Sequence, residues 1–157
     1  MINYFYSTNV RDLPDTALQM SIVLKSTRRD RLLVDKIASA CKRMETSFAS
    51  KYCHFFIDQN LPIYDSRARE ALVFLLGKKY VPLEDGTARY LNFCSNFDRF
   101  QTANSIRSSV REIDHFLWIV GSCEAHRKGK RVKAGVRDLL KKQSDKDWLF
   151  SFLPPRG

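Results

Sequence analysis

Apolar residues recur at three- and four-residue steps along almost all of this 157-residue chain, the period of helices that bury one face. Pro14-Asp15 opens a first helix with Leu18, Ile22 and Val23 on its buried side. Thr27 or Asp30 caps a second, whose apolar stripe is Leu32, Leu33, Ile37, Ala40, Cys41 and Met44. Phe48 to Phe56 forms a short apolar helix that breaks before Pro62. Asp65 begins another, through Ala68, Ala71, Leu72 and Leu75, which Gly77 stops. The stretch 78–86 holds Pro82 and an Asp85-Gly86 turn, and is a loop. Tyr90, Leu91, Phe93, Cys94, Phe97 and Phe100 mark an aromatic helix ending near Asn104. Ser105 or Ser108 caps the strongest helix, with Val110, Ile113, Leu117 and Val120 on one side and Gly121 at its end. A basic turn at Arg127–Arg131 leads to a last helix from about Val136 towards Phe152, terminated by Pro154-Pro155. No segment alternates with the period of a strand, and neither a repeat nor a low-complexity linker divides the chain. The pattern predicts one all-α, compact, multi-helix domain over residues 1–157.

Composition narrows the class. Hydrophobic residues make up 44%, with 11 Phe and 6 Tyr, enough for a core and too many for a disordered tail. No apolar run approaches the roughly 18 to 20 residues that cross a bilayer, and the N-terminus lacks a basic region followed by an apolar stretch. A cytoplasmic protein with no membrane partner is expected. Cys41, Cys53, Cys94 and Cys123 form no C-x-x-C pair and sit in apolar helical contexts, so reduced core cysteines are expected rather than a zinc or iron–sulfur site. His54, His115 and His126 share no metal-ligand spacing, and neither a metal nor another cofactor is expected.

Charge adds a partner class. The net charge is +10, and it is concentrated in two blocks. Residues 25–43 carry seven Lys/Arg against two Asp, and residues 126–157 carry ten against three. Arg29, Lys36 and Arg43, seven apart, offer one phosphate-facing stripe. Arg127, Lys128, Lys130, Arg131 and Lys133, with Arg137 beyond, offer another. Such a footprint suits a nucleic-acid backbone, and equally an acidic protein partner.

Two constellations can carry chemistry. Lys51 lies in an apolar helical run, and Asp65 follows a proline turn where a helix must begin. Together they could attack or stabilise a sugar carbon; apart, they are a salt-bridge partner and a helix cap. The second is Arg107, Arg111, Asp114 and Trp118, at three- and four-residue steps on one helix face, with His115 beside them. Asp114 or Glu112 can pair with Arg111 or Arg107 under Trp118, either as a polar pocket wall near Asp65 or as ordinary surface ion pairs. A metal-dependent nuclease fits poorly, because Asp65 and Glu70 stand five apart and share no helix face.

The segment Leu61-Pro62-Ile63-Tyr64-Asp65-Ser66-Arg67-Ala68, continuing to Leu72, resembles the aspartate segment of the helix–hairpin–helix DNA glycosylases. The likeness covers roughly residues 45–76. It implies a helix–hairpin–helix glycosylase-like fold, with Asp65 as the catalytic aspartate and Lys51 nearest to the lysine of the lyase-competent members. Lys51 precedes Asp65 by 14 residues, about one helical turn less than the family spacing. Residues Glu45–Ser50 stand where the family has its glycine-rich hairpin. The resemblance implies a DNA-binding, base-excision repair hydrolase that cleaves the N-glycosidic bond of a damaged or modified base. Tyr52, Tyr64 or Trp118 would stack on the extruded base. The competing expectation is a binding module on the same scaffold, holding nucleic acid or protein without chemistry.

Overall fold

The computed structural model describes residues 13–41, 45–82 and 88–132, and beyond them Ala134, Gly135, Arg137 and Asp138, which are helical. Six α-helices stand among the described residues: α1 (Leu13–Ser26), α2 (Arg31–Ala40), α3 (Thr46–Phe56), α4 (Ser66–Leu76), α5 (Arg89–Ala103) and α6 (Val110–Arg127). A 3-10 turn over Gly77–Lys79 follows α4. The described residues contain no strand and no helix long and apolar enough to cross a membrane. Arg43, Met44 and Lys133 lie outside the described residues, as does the terminal helix expected over 136–152 apart from Arg137 and Asp138.

The aromatic helix is the axis of the core. Tyr90, Phe93 and Phe97 of α5 are fully buried, and α2, α3 and α4 all pack against α5. Asp35 of α2, only 8% exposed, accepts the free N–H groups of Tyr90 and Leu91 at 3.0 and 3.3 Å. A side chain from another helix thus supplies the N-terminal cap that the local sequence lacks. Arg31 and Asp98 form a two-pronged ion pair that joins the same two helices. Cys41, Cys53 and Cys94 are buried free thiols and Cys123 is half-buried. Burial pushes Cys53 and Cys94 up to about 12, which keeps them protonated and inert.

Two helical stripes differ from the expected register. In α1, Leu18 and Ile22 are 59% and 53% exposed, whereas Thr16 and Met20 are buried and Val23 and Leu24 partly so. In α2, Leu32 is half-exposed while Val34 and Ala38 are fully buried. Both helices carry apolar residues around more than half their circumference, so periodicity alone allows two registers. Docking against neighbouring helices selects the observed one.

The largest difference lies in α6. Its cap is Ser109, in a reciprocal capping box with Glu112, rather than Ser105 or Ser108. The helix runs through Gly121 to Arg127. Gly121 is a contact residue and not a stop: a Cβ there would lie 1.9 Å from the carbonyl oxygen of Arg67. Only glycine lets the α6 backbone approach α4 so closely, and α4–α6 is the most extensive helix pair. This approach brings the two polar constellations together.

Candidate functional site

Between α3 and α4 the chain leaves helical geometry, and the backbone of residues 61–64 must find partners outside a ladder. Each partner is a buried or half-buried side chain. The Leu61 carbonyl accepts from His54 Nδ1 of α3 at 2.9 Å. The buried Tyr90 hydroxyl of α5 donates to the Pro62 carbonyl at 2.7 Å. The Ile63 N–H donates to Asp114 Oδ2 of α6 at 3.0 Å. The Tyr64 N–H donates to Ser50 Oγ of α3 at 3.0 Å. Three helices therefore fix the stretch that leads into Asp65.

Asp65 is the N-cap of α4, its Oδ1 accepting from the Arg67 N–H at 2.7 Å. It lines a cleft of about 730 Å³ together with Lys51 and His54 of α3 and Arg111, Asp114, His115 and Trp118 of α6. Lys51 and Asp65 thus open onto one space, and the α6 constellation forms its opposite wall. Lys51 is 8% exposed, and its amine donates to Ser47 Oγ at 2.9 Å. Trp118 is half-buried, and Arg111 and His115 are exposed.

Asp114 is the most perturbed carboxyl of the cleft. It is 7% exposed, and its Oδ1 has no hydrogen-bond partner among the described residues. Burial pushes it up to about 7; the Ile63 N–H opposes this, and the neighbouring Asp65 charge adds to it. Among the described residues no ion pair joins Asp114 to Arg111 or Arg107: its Oδ2 accepts from the Ile63 N–H, and Glu112, the other carboxylate expected to pair, is committed to the Ser109 cap. Arg107 precedes the helix and so is not on its face.

The remaining candidates fall elsewhere. Tyr52 packs its ring, tilted, at 5.4 Å from Phe56 and 6.3 Å from Phe48, and does not line this cleft. Tyr64 points to a second cleft on the other side of the 61–65 stretch. Arg29 lies in the turn before α2, so it and Lys36 do not share a helix face; neither lines the cleft.

The basic turn after α6 is pinned rather than loose. Gly129 takes a φ of 71°, which glycine adopts without strain, and the chain folds back onto α4. Arg67 Nη2 donates to the Arg131 carbonyl at 2.8 Å, and Glu70 pairs with Arg67 at 3.0 Å and Lys130 at 2.7 Å. Against the upward push of burial, Lys130 and Arg67 hold the Glu70 carboxyl below its usual range. Arg127 and Lys128 both pair with buried Glu124, at 2.6 and 3.1 Å. Of the expected phosphate-binding residues among those described, Arg131 alone lines the cleft; Arg137 is exposed beside Asp138.

Sequence reasoning did not place His54, Arg67 or Ser122 in this cleft, yet His54 and Ser122 leave a helical signal. His54 follows Lys51 by three residues, and Ser122 follows Trp118 by four. The His54–Leu61 hydrogen bond requires the proton on Nδ1, because a carbonyl only accepts; in the neutral ring Nε2 is then an acceptor. Among the described residues no group of three His, Cys, Asp or Glu side chains is arranged to hold a metal ion. Comparison with models of known protein families, with curated proteins and with solved structures gives no match.

Proposed function

We propose that this chain binds DNA and cleaves the N-glycosidic bond of a damaged or modified base, in the manner of the helix–hairpin–helix glycosylases that its 61–72 segment resembles. The observation that carries this is the shared cleft: Lys51 and Asp65, 14 residues apart, line one space with Asp114, His115 and Trp118. In this reading the target nucleotide is extruded into the cleft and Trp118 stacks on its base. The C1′–N bond breaks, the base departs with the bonding electrons and takes up a proton, and water or the Lys51 amine adds to C1′. The Asp65 carboxylate stabilises the positive charge that builds on the sugar. Asp114, with a carboxyl pushed up to about 7, is matched to proton transfer near neutral pH. Arg111 and Arg131 at the cleft wall would meet the flanking phosphates.

A second reading, nucleic-acid binding without chemistry, draws on the Lys51–Ser47 hydrogen bond, which engages the amine that lyase chemistry would use. Borohydride trapping and base-release assays on duplexes carrying abasic sites and a panel of damaged bases separate the two. The glycosylase reading expects base release that disappears in Asp65→Asn. A covalent adduct that disappears in Lys51→Ala would add lyase chemistry. Salt-sensitive binding with neither product would favour the binding module.

A further inference from the structure

Residues 61–64 are neither helix nor strand, and Asp65 is extended, with φ −136° and ψ 146°. Ile63 and Asp65 face the first cleft, and Tyr64 faces a second, of about 460 Å³, between α4, α5 and the segment that follows the 3-10 turn. Tyr64, Tyr80 and Phe93 give this cleft aromatic walls, and Arg69 and Arg89 give it positive charge.

Its walls are held in place. The Tyr64 ring meets Phe93 edge-on at 5.3 Å. Asn96, 1% exposed, clamps Val81 from α5 by accepting its N–H at 2.9 Å and donating to its carbonyl at 2.8 Å. Arg99 donates to the Lys79 carbonyl at 2.6 Å, which fixes the backbone before Tyr80. Burial pushes the Tyr80 phenol up, the Arg69 charge pulls it down and Tyr64 pushes it up, so these three side chains converge on one space. No ion pair among the described residues engages Arg69. Arg89 also acts on the Asp35 carboxylate, which makes Arg69 the less committed of the two cations.

We propose that this second cleft is a nucleotide site, with an aromatic base against Tyr64 and Tyr80 and its phosphate against Arg69 and Arg89. The chemistry required is an aromatic ring joined to a phosphate, whether as a free mononucleotide or as one unit of a strand. Ring stacking and a guanidinium–phosphate contact are complementary, since neither satisfies the other's partner. The free-nucleotide form is independent of any chemistry at the first cleft; the strand form rests on the nucleic-acid reading above.

The test is titration of the full chain with dAMP, inorganic phosphate and a single-stranded DNA hexamer. The proteins compared are the wild type, Arg69→Gln, Tyr80→Leu and Lys25→Gln, the last removing an exposed charge that lines neither cleft. A free-nucleotide site expects dAMP to bind more tightly than phosphate. It also expects at least a tenfold loss in Arg69→Gln, a fall to the level of phosphate in Tyr80→Leu, and no change in Lys25→Gln. Hexamer binding without dAMP binding, weakened in Arg69→Gln but not in Lys25→Gln, would assign the site to a strand. Equal effects of Arg69→Gln and Lys25→Gln, or none in either, would overturn the proposal. So would phosphate binding as tightly as dAMP. Trapping and base release on the same proteins report on the first cleft, so failure of either site is read separately.

Discussion

At the scale of single residues, the roles of Asp65 divide between its shape and its charge. Asparagine caps a helix about as well as aspartate, whereas alanine costs about 0.5–2 kcal/mol. Asp65→Asn should therefore unfold in urea at nearly the wild-type midpoint yet lose base release, and Asp65→Ala should lose both. Equal activity of Asp65→Asn and wild type would remove the carboxylate from the chemistry. Asp114 gives a pH signature. Its folded carboxyl titrates at about 7, above its ordinary unfolded value near 4, so the folded state binds the extra proton between those limits. Its contribution to stability is fully present below about pH 4 and declines as pH rises towards 7, with a slope of at most about 1.4 kcal/mol per pH unit. Asp114→Asn keeps an acceptor for the Ile63 N–H and should flatten that decline in melting temperatures measured from pH 4 to 8. Asp65 and Asp114 were both legible as site candidates because their neighbours lie close in sequence. The convergence of His54, Tyr90 and Asp114 on residues 61–63 was not legible, because those contacts span 7 to 51 residues.

At the scale of elements, helix existence was legible and helix facing less so. The ends of α3, α4 and α5 follow from Pro62, Asp65, Gly77 and the aromatic period, all local signals. The register of α1 was ambiguous because Leu18 and Ile22 fit an apolar stripe as well as Met20 does. Gly121 was misread as a terminus because glycine marks helix ends and close contacts alike, and only the partner distinguishes them. This gives a prediction of opposite sign to helix propensity. An isolated helix gains about 1 kcal/mol when glycine becomes alanine, but here the methyl group would collide with the Arg67 carbonyl. Gly121→Ala should destabilise the protein by about 1–3 kcal/mol in chemical denaturation. It should also lower activity, because α6 carries the far wall of the cleft. A neutral or stabilised variant would show that α4 and α6 do not meet at this point.

At the scale of the whole molecule, the charge excess of +10 is not a measure of free cations. Arg127, Lys128 and Lys130, which sequence alone presents as a bare basic turn, are partly neutralised by Glu124 and Glu70. The Lys130–Glu70 pair joins residues 60 apart and leaves no trace in local composition, whereas the pairs to Glu124 lie three and four residues apart on one helix. The same network fastens the turn beside the cleft, and together with the helices around residues 61–64 it makes the site part of the core's architecture rather than a surface addition. That has a consequence for solvent exchange. Backbone amides in non-helical connections usually exchange through small local openings, while those of core helices require global unfolding. The Ile63 and Tyr64 amides are tied to side chains of α6 and α3, so freeing either one means separating packed helices. Both should exchange with deuterium as slowly as amides in the middle of α5, and markedly more slowly than the Asn60 amide, which bonds only to nearby Asp58. A nuclear magnetic resonance exchange series would show this, and fast exchange at Ile63 and Tyr64 would mean that the site opens without the fold.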